Sequence, residues 1–221
     1  MSRIKFWILF ILLSGVNCSN SYIPLSGDLL FQDLDCGETC NAIEAVTQGI
    51  KGANFSHTGL LINSNDQWVV LEAISAGVVM TPLNDFLSRS SDSTGAPKVI
   101  VGRLKEEYSS LIPIVLEQTE YYLGKHYDNV FRMDSNSYYC SEMIYEMFKS
   151  ANRGIEVFKL SPMTFKIPGS DEFFPQWVEY YKELGEEIPE GEPGINPGSI
   201  SRSDAIEIVY IYGNPDGWQV Q

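Results

Sequence analysis

The chain has little histidine and little cysteine, two of the first and four of the second in 221 residues. A zinc tetrahedron is built from clustered Cys and His ligands, and no second such group completes the close pair Cys36 and Cys40. No metal and no other cofactor is therefore expected. Positive charge is scarce as well, with 15 Lys and Arg against 29 Asp and Glu and a formal net charge of -14. Affinity for nucleic acid rests on Lys and Arg neutralising phosphates, so nucleic acid is not an expected partner. Apolar runs able to cross a bilayer are missing too, since the stretch Phe6 to Leu13 falls well short of the roughly 20 residues required. No internal repeat is visible.

What is present suffices for one folded domain. Hydrophobic residues make up 44% and aromatics 12%, enough to bury a full core. The first eighteen residues have the three parts of an export signal: basic Arg3 and Lys5, the apolar run, then Ser14 and Gly15 ahead of Cys18. Residues 1–18 are thus read as a signal peptide, 19–26 as a tether, and 27–221 as a single domain with an extension after about residue 154. Cys18 stands where a bacterial lipoprotein signal places its lipid-accepting cysteine, although Asn17 is a poor residue just before it. A lipid anchor at Cys18 and ordinary cleavage with release both stay open. The expected location is the bacterial periplasm or cell envelope, lipid-anchored if Cys18 is modified and secreted otherwise.

Patterning predicts alternating short strands and helices. Leu29 to Gln32 reads as a strand and Glu38 to Gln48 as a helix. Phe55 to Ile62 and Gln67 to Ala73 form a hairpin around the turn-forming cluster Asn63 to Asp66. Gly77 to Met80 is a further strand, and Thr81-Pro82 reads as a cap opening a helix to about Ser90. Lys98 to Leu104 is a strand, and Ser110 to Leu123 a helix ended by Gly124. Met143, Ile144, Met147 and Phe148 mark one face of a helix from Cys140 to Ala151. A helix around Asp171 to Leu184, an exposed Gly/Pro/Glu-rich loop from Gly185 to Gly198, and a strand from Ile206 to Tyr212 complete the chain.

Chemistry is suggested by a combination, because each residue alone has an ordinary structural explanation. In an oxidising compartment Cys36 and Cys40 can form a disulfide, or they can be buried thiols; Cys140 is left without a neighbouring partner. A helix N-terminus lowers a thiol's pKa through its dipole and unpaired N–H groups, and Cys140 opens its helix. His57 lies on the first hairpin strand. Pairing centred between Ser64 and Asn65 sets Gly59 opposite Val70 and His57 opposite Glu72, a carboxylate beside an imidazole. A one-residue slip would send Glu72 to the other face. His126, in the loop after Gly124, is the competing base, and Asp28 and Asp128 are competing acids for which turn and cap roles suffice.

Five segments in order, Gly27-Asp28-Leu29-Leu30-Phe31, Ser56-His57-Thr58-Gly59-Leu60, Leu71-Glu72-Ala73 followed by Gly77-Val78, Gly124-Lys125-His126-Tyr127-Asp128, and Tyr139-Cys140-Ser141-Glu142, resemble the YiiX/YebB-like branch of the NlpC-type cysteine hydrolases. The resemblance implies an α+β, circularly permuted papain-like fold, an antiparallel sheet packed against helices. It also implies Cys140 as nucleophile, His57 as base, Glu72 as third member and Tyr127 lining the pocket. The expected activity is amide cleavage through a thioester, on a peptide, a cell-wall fragment or another envelope amide. Lipid amides or esters, and a non-catalytic binding module on the same fold, are the alternatives. The tail after Gly154 has no counterpart in these motifs.

Overall fold

The computed structural model describes residues 22–133 and 137–219. The signal-like segment and Cys18 lie outside the described residues. Among the described residues eight strands and seven α-helices follow one another as β1 (Leu29–Gln32), α1 (Glu38–Val46), β2 (His57–Ser64), β3 (Gln67–Ile74), β4 (Gly77–Pro82), α2 (Leu83–Leu87), β5 (Val99–Leu104), α3 (Ile112–Glu117), α4 (Thr119–Tyr122), α5 (Cys140–Ala151), β6 (Ser161–Pro162), α6 (Pro175–Leu184), β7 (Pro193–Gly194), α7 (Pro197–Ser201) and β8 (Ile206–Ile211). Six strands form one sheet in the order β4-β3-β2-β1-β5-β8, every neighbouring pair antiparallel. β6 and β7 pair separately. The fold is α+β, as expected.

Alternation along the strands sorts the core into two faces. Leu29, Phe31, Leu60, Ile62, Leu71 and Ala73 join Met143, Ile144, Met147 and Phe148 of α5 in the main cluster. Leu30, Leu61, Val70, Val99 and Val101 pack with Phe86 of α2 on the opposite face. The helix α5 runs over the bounds its apolar period predicts. It is buried on nearly every side, and Glu142 accepts the N–H of Tyr139 at 3.2 Å to hold its first turn. Cys36 and Cys40 form a disulfide at the start of α1.

The hairpin turn is tighter than the sequence reading. Asn65 and Asp66 both have positive φ, 51° and 64°, the two-residue turn that suits the twist of paired strands and that Asn and Asp tolerate. Asn63 and Ser64 therefore stay in β2, pairing with Trp68 and Gln67. The register moves by two residues from the expected one, and Leu61, rather than Gly59, faces Val70. An even shift keeps every side chain on its face.

Three other expectations change. Thr81 and Pro82 belong to β4, opposite Val70 and Val69, so α2 begins only at Leu83. The helix predicted over 110–123 breaks into a 3₁₀ segment, Glu106–Leu111, and the short α3 and α4, with Pro113 in the first turn of α3. The loop expected to be exposed as far as Gly198 turns inward at Gly194. Ile195 is buried, and Asn196 and Ser199 cap α7 reciprocally. Gly198 packs so closely on the 47–48 backbone that a Cβ there would overlap the Thr47 carbonyl. Gly198→Ala is expected to cost about 2–3 kcal/mol by overpacking, read as a melting temperature roughly 5–10 °C lower; an unchanged melting temperature would show that α7 is free to move off α1.

Candidate active site

Cys140 opens α5, 7% exposed, and borders a cavity of about 200 Å³. Its sulfur receives the backbone N–H groups of Thr58 and Ser141 and is hydrogen-bonded to His57. Burial alone would push the thiol up, but these bonds and the imidazolium charge outweigh it and hold the pKa below the ordinary thiol value. His57 shows the mirror effect. Burial lowers its pKa, while hydrogen bonds to Cys140 and Glu72 raise it more, to about 9. The favoured state of the pair is thiolate and imidazolium.

His57 Nε2 lies 2.6 Å from Glu72 Oε2, which leaves Nδ1 to face the sulfur. The contact is diagonal rather than directly across. Continuing the hairpin register places Gly59 opposite Glu72, and the imidazole reaches over that glycine to the carboxylate. A Cβ at position 59 would collide with Val70 Cγ1 and stand 3.4 Å from the Glu72 Cβ. His57, Gly59 and Glu72 share the face of Leu61 and Val70, the one turned away from α5. His57 can still reach Cys140 because it is the first residue of β2, at the open end of the strand.

Glu72 is fully buried, and three groups hold it. Besides His57, Arg89 grips it bidentately, with Nη1 2.7 Å from Oε2 and Nη2 2.5 Å from Oε1, and the Thr81 hydroxyl donates to Oε1. Burial raises the carboxyl pKa, but the bonds to His57 and Arg89 lower it further, to about 2. Phe86 packs 5.8 Å from the His57 ring, and Arg89 lies 5.3 Å over the Phe86 ring. Sequence reasoning missed Arg89, Phe86 and Thr81. Thr81 had a usable signal, since strand alternation puts it on the Glu72 face; Arg89 follows the end of a short helix, where no period applies.

The remaining sequence candidates are placed apart or in supporting positions. Tyr127 lines the cavity with Cys140, and burial together with the nearby sulfur charge raises its phenol well above the usual value. His126 is exposed and bridges to Ser137 through the backbone. Asp28 pairs with Arg103 and accepts from the Tyr22 hydroxyl, while Asp128 accepts the N–H groups of Val130 and Arg132 in a turn. The cavity's far wall comes from the tail: Ser161 to Phe165, Trp177, and Ile195 to Pro197.

Gly59→Ala is expected to push His57 and Glu72 apart and to slow alkylation of Cys140 at pH 7 toward the rate of an ordinary thiol. Adding Val70→Ala, which removes the colliding methyl, should recover part of the rate. Equal rates in wild type and Gly59→Ala would mean that the diagonal contact does not depend on the bare position.

The chain is 28% identical over 178 residues to the uncharacterized protein YiiX of Escherichia coli (strain K12), covering 80% of this chain and 81% of that one. The crystal structure described as metalloprotein yiiX from Escherichia coli O157:H7 superposes with a TM-score of 0.66 at 25% identity, over 87% of this chain and 99% of that chain. The family described as permuted papain-like amidase enzyme, YaeF/YiiX, C92 family, matches residues 24–210, so the match takes in the tail that builds the far wall. With 187 residues of sequence matched and the same fold around a buried Cys, His and Glu, the chain belongs to the permuted papain-like amidases of the YaeF/YiiX type.

Proposed function

We propose that the chain is an exported cysteine amidase that cleaves an amide bond in a peptide or cell-wall fragment through a thioester acyl-enzyme. The observation that carries this reading is the hydrogen-bonded run Cys140–His57–Glu72 beside a cavity. The Cys140 thiolate attacks the amide carbonyl carbon, and first-turn N–H groups of α5 are the donors at hand for the developing oxyanion. As the C–N bond breaks, the imidazolium of His57 gives its proton to the leaving nitrogen. Water then attacks the thioester, His57 takes the water's proton, and the carboxylic acid leaves. Glu72, kept ionised by Arg89, holds the ring and offsets its positive charge. Export is supported by the signal-like first eighteen residues and by the Cys36–Cys40 disulfide, a bond that persists in oxidising compartments. A peptide or cell-wall amide is the substrate suited to that location.

The Escherichia coli relative is described as a metalloprotein, which raises the question of a metal here. Among the described residues one group of three potential ligands lies close enough together, Asp33, Asp35 and Asp216. The buried Lys98 ammonium already sits among them, at 3.3, 2.6 and 3.3 Å. A divalent ion would have to expel that charge, so this donor set does not fit a metal and no step is routed through one.

Two outcomes test the mechanism. Wild type incubated with peptidoglycan fragments, free peptides and acylated lipids should release amines from one of the first two sets, and Cys140→Ala should release none; cleavage retained by the alanine variant contradicts the thioester route. The pH dependence separates the two halves of the ion pair. Thiolate reactivity toward iodoacetamide should exceed that of a free thiol by about tenfold at pH 7 and persist above pH 9. Amide turnover needs the His57 proton and should fall as pH rises through about 9. Turnover and alkylation rising together beyond that point would rule out His57 as the proton donor.

A further inference from the structure

The cavity beside Cys140 is walled by aromatic, aliphatic and neutral polar side chains, and among the described residues its lining holds one basic side chain, Arg202, besides the Cys140 sulfur. In a chain with 29 acidic and 15 basic residues, none of the described residues that line the cavity carries a carboxylate. Arg202 is the residue just past α7, and its hydrogen bonding among the described residues amounts to one long contact, Nε to the Gly198 carbonyl at 3.4 Å. Among the described residues no carboxylate pairs with it, whereas Arg89, Arg103 and Arg132 are matched by Glu72, Asp28 and Glu186. The indole N–H of Trp177, in the same lining, is buried without an acceptor. Of these two, Arg202 is the donor open to a ligand in the cavity, since the Trp177 N–H has no accessible surface. A guanidinium presents a planar fork that fits a carboxylate or a phosphate bidentately, and Arg202, an exposed residue in the cavity lining, is open to an incoming ligand.

We propose that this cleft selects amides that carry an anionic group, a carboxylate or a phosphate, on an otherwise apolar or aromatic body, with Arg202 receiving the anion. The inference rests on the amidase reading for the bond that is cut, and on the cavity alone for the binding. Bringing an anion to a protein of net charge -14 is opposed by its overall field, so the local cation has to supply the selectivity.

Binding to the Cys140→Ala protein separates the two ideas. The probes share one apolar body: N-benzoyl-phenylalanine, its neutral carboxamide, and the phosphate ester of N-benzoyl-phenylalaninol. At least one anionic probe is expected to bind about tenfold tighter than the carboxamide, and which one tells carboxylate from phosphate. Adding Arg202→Gln should erase the preference, Arg202→Lys should keep part of it, and Arg202→Glu should reverse it. Equal binding of charged and neutral probes, or a preference that survives Arg202→Gln, overturns the inference. Release of benzoate from the same amides by protein with Cys140 intact reports on the amidase reading separately. Arg202-dependent binding without release would leave the anion site standing and count against cleavage, and release indifferent to Arg202 would do the opposite.

Discussion

A carboxylate with no exposed surface has to be matched by charge and hydrogen bonds, and the arrangement around Glu72 follows from that requirement. Its two oxygens are shared among His57 of β2, Thr81 of β4 and Arg89 just beyond α2. Three separate segments are thereby fixed to β3 at one point. The bidentate Arg89 contact fixes the plane of the carboxylate as well as its charge. His57 therefore meets an acceptor that is already oriented and already ionised.

The consequence passes through the sheet to the other face. Glu72 and His57 lie on the side turned away from α5, while Cys140 lies at the start of α5. The two are joined only because His57 is the first residue of its strand and Gly59 leaves the diagonal open. Two rules of different origin meet there: strand alternation puts His57 beside Glu72, and the helix terminus puts the thiolate within reach of the ring. The tail closes the arrangement, since Ile195 and α7 return to the core with Arg202 just beyond them, while Trp177 of α6 and Phe165 supply aromatic wall to the cavity.

A second charged cluster has a structural use. Lys98, next to β5, binds Asp33 after β1, Asp35, and Asp216 near the C-terminus. Burial lowers the lysine's pKa, but the three carboxylates outweigh it and keep the ammonium charged. The cluster ties the segment at Asp216 to the end of β1, near Ser56, which accepts the Leu34 N–H and lines the cavity. Part of the chain's acidic excess is thus used locally around one cation.

The sequence by itself determined the parts governed by local rules. The 3.6-residue period fixed α5 and placed Cys140 at its start, and the period of two placed His57 and Glu72 on one face even though the expected register was off by two residues. An even error does not change a face, which is why the pair was legible while its diagonal geometry was not. Tertiary structure alone decided what comes from distant segments: Arg89 on Glu72, the disulfide over the other thiol alternatives, and the inward turn of residues 194–198. These depend on packing between elements far apart in the chain, where no period or turn propensity carries information, and the Gly/Pro-rich composition that signalled a loop at 185–198 was overridden by the burial of Ile195 and Ile200.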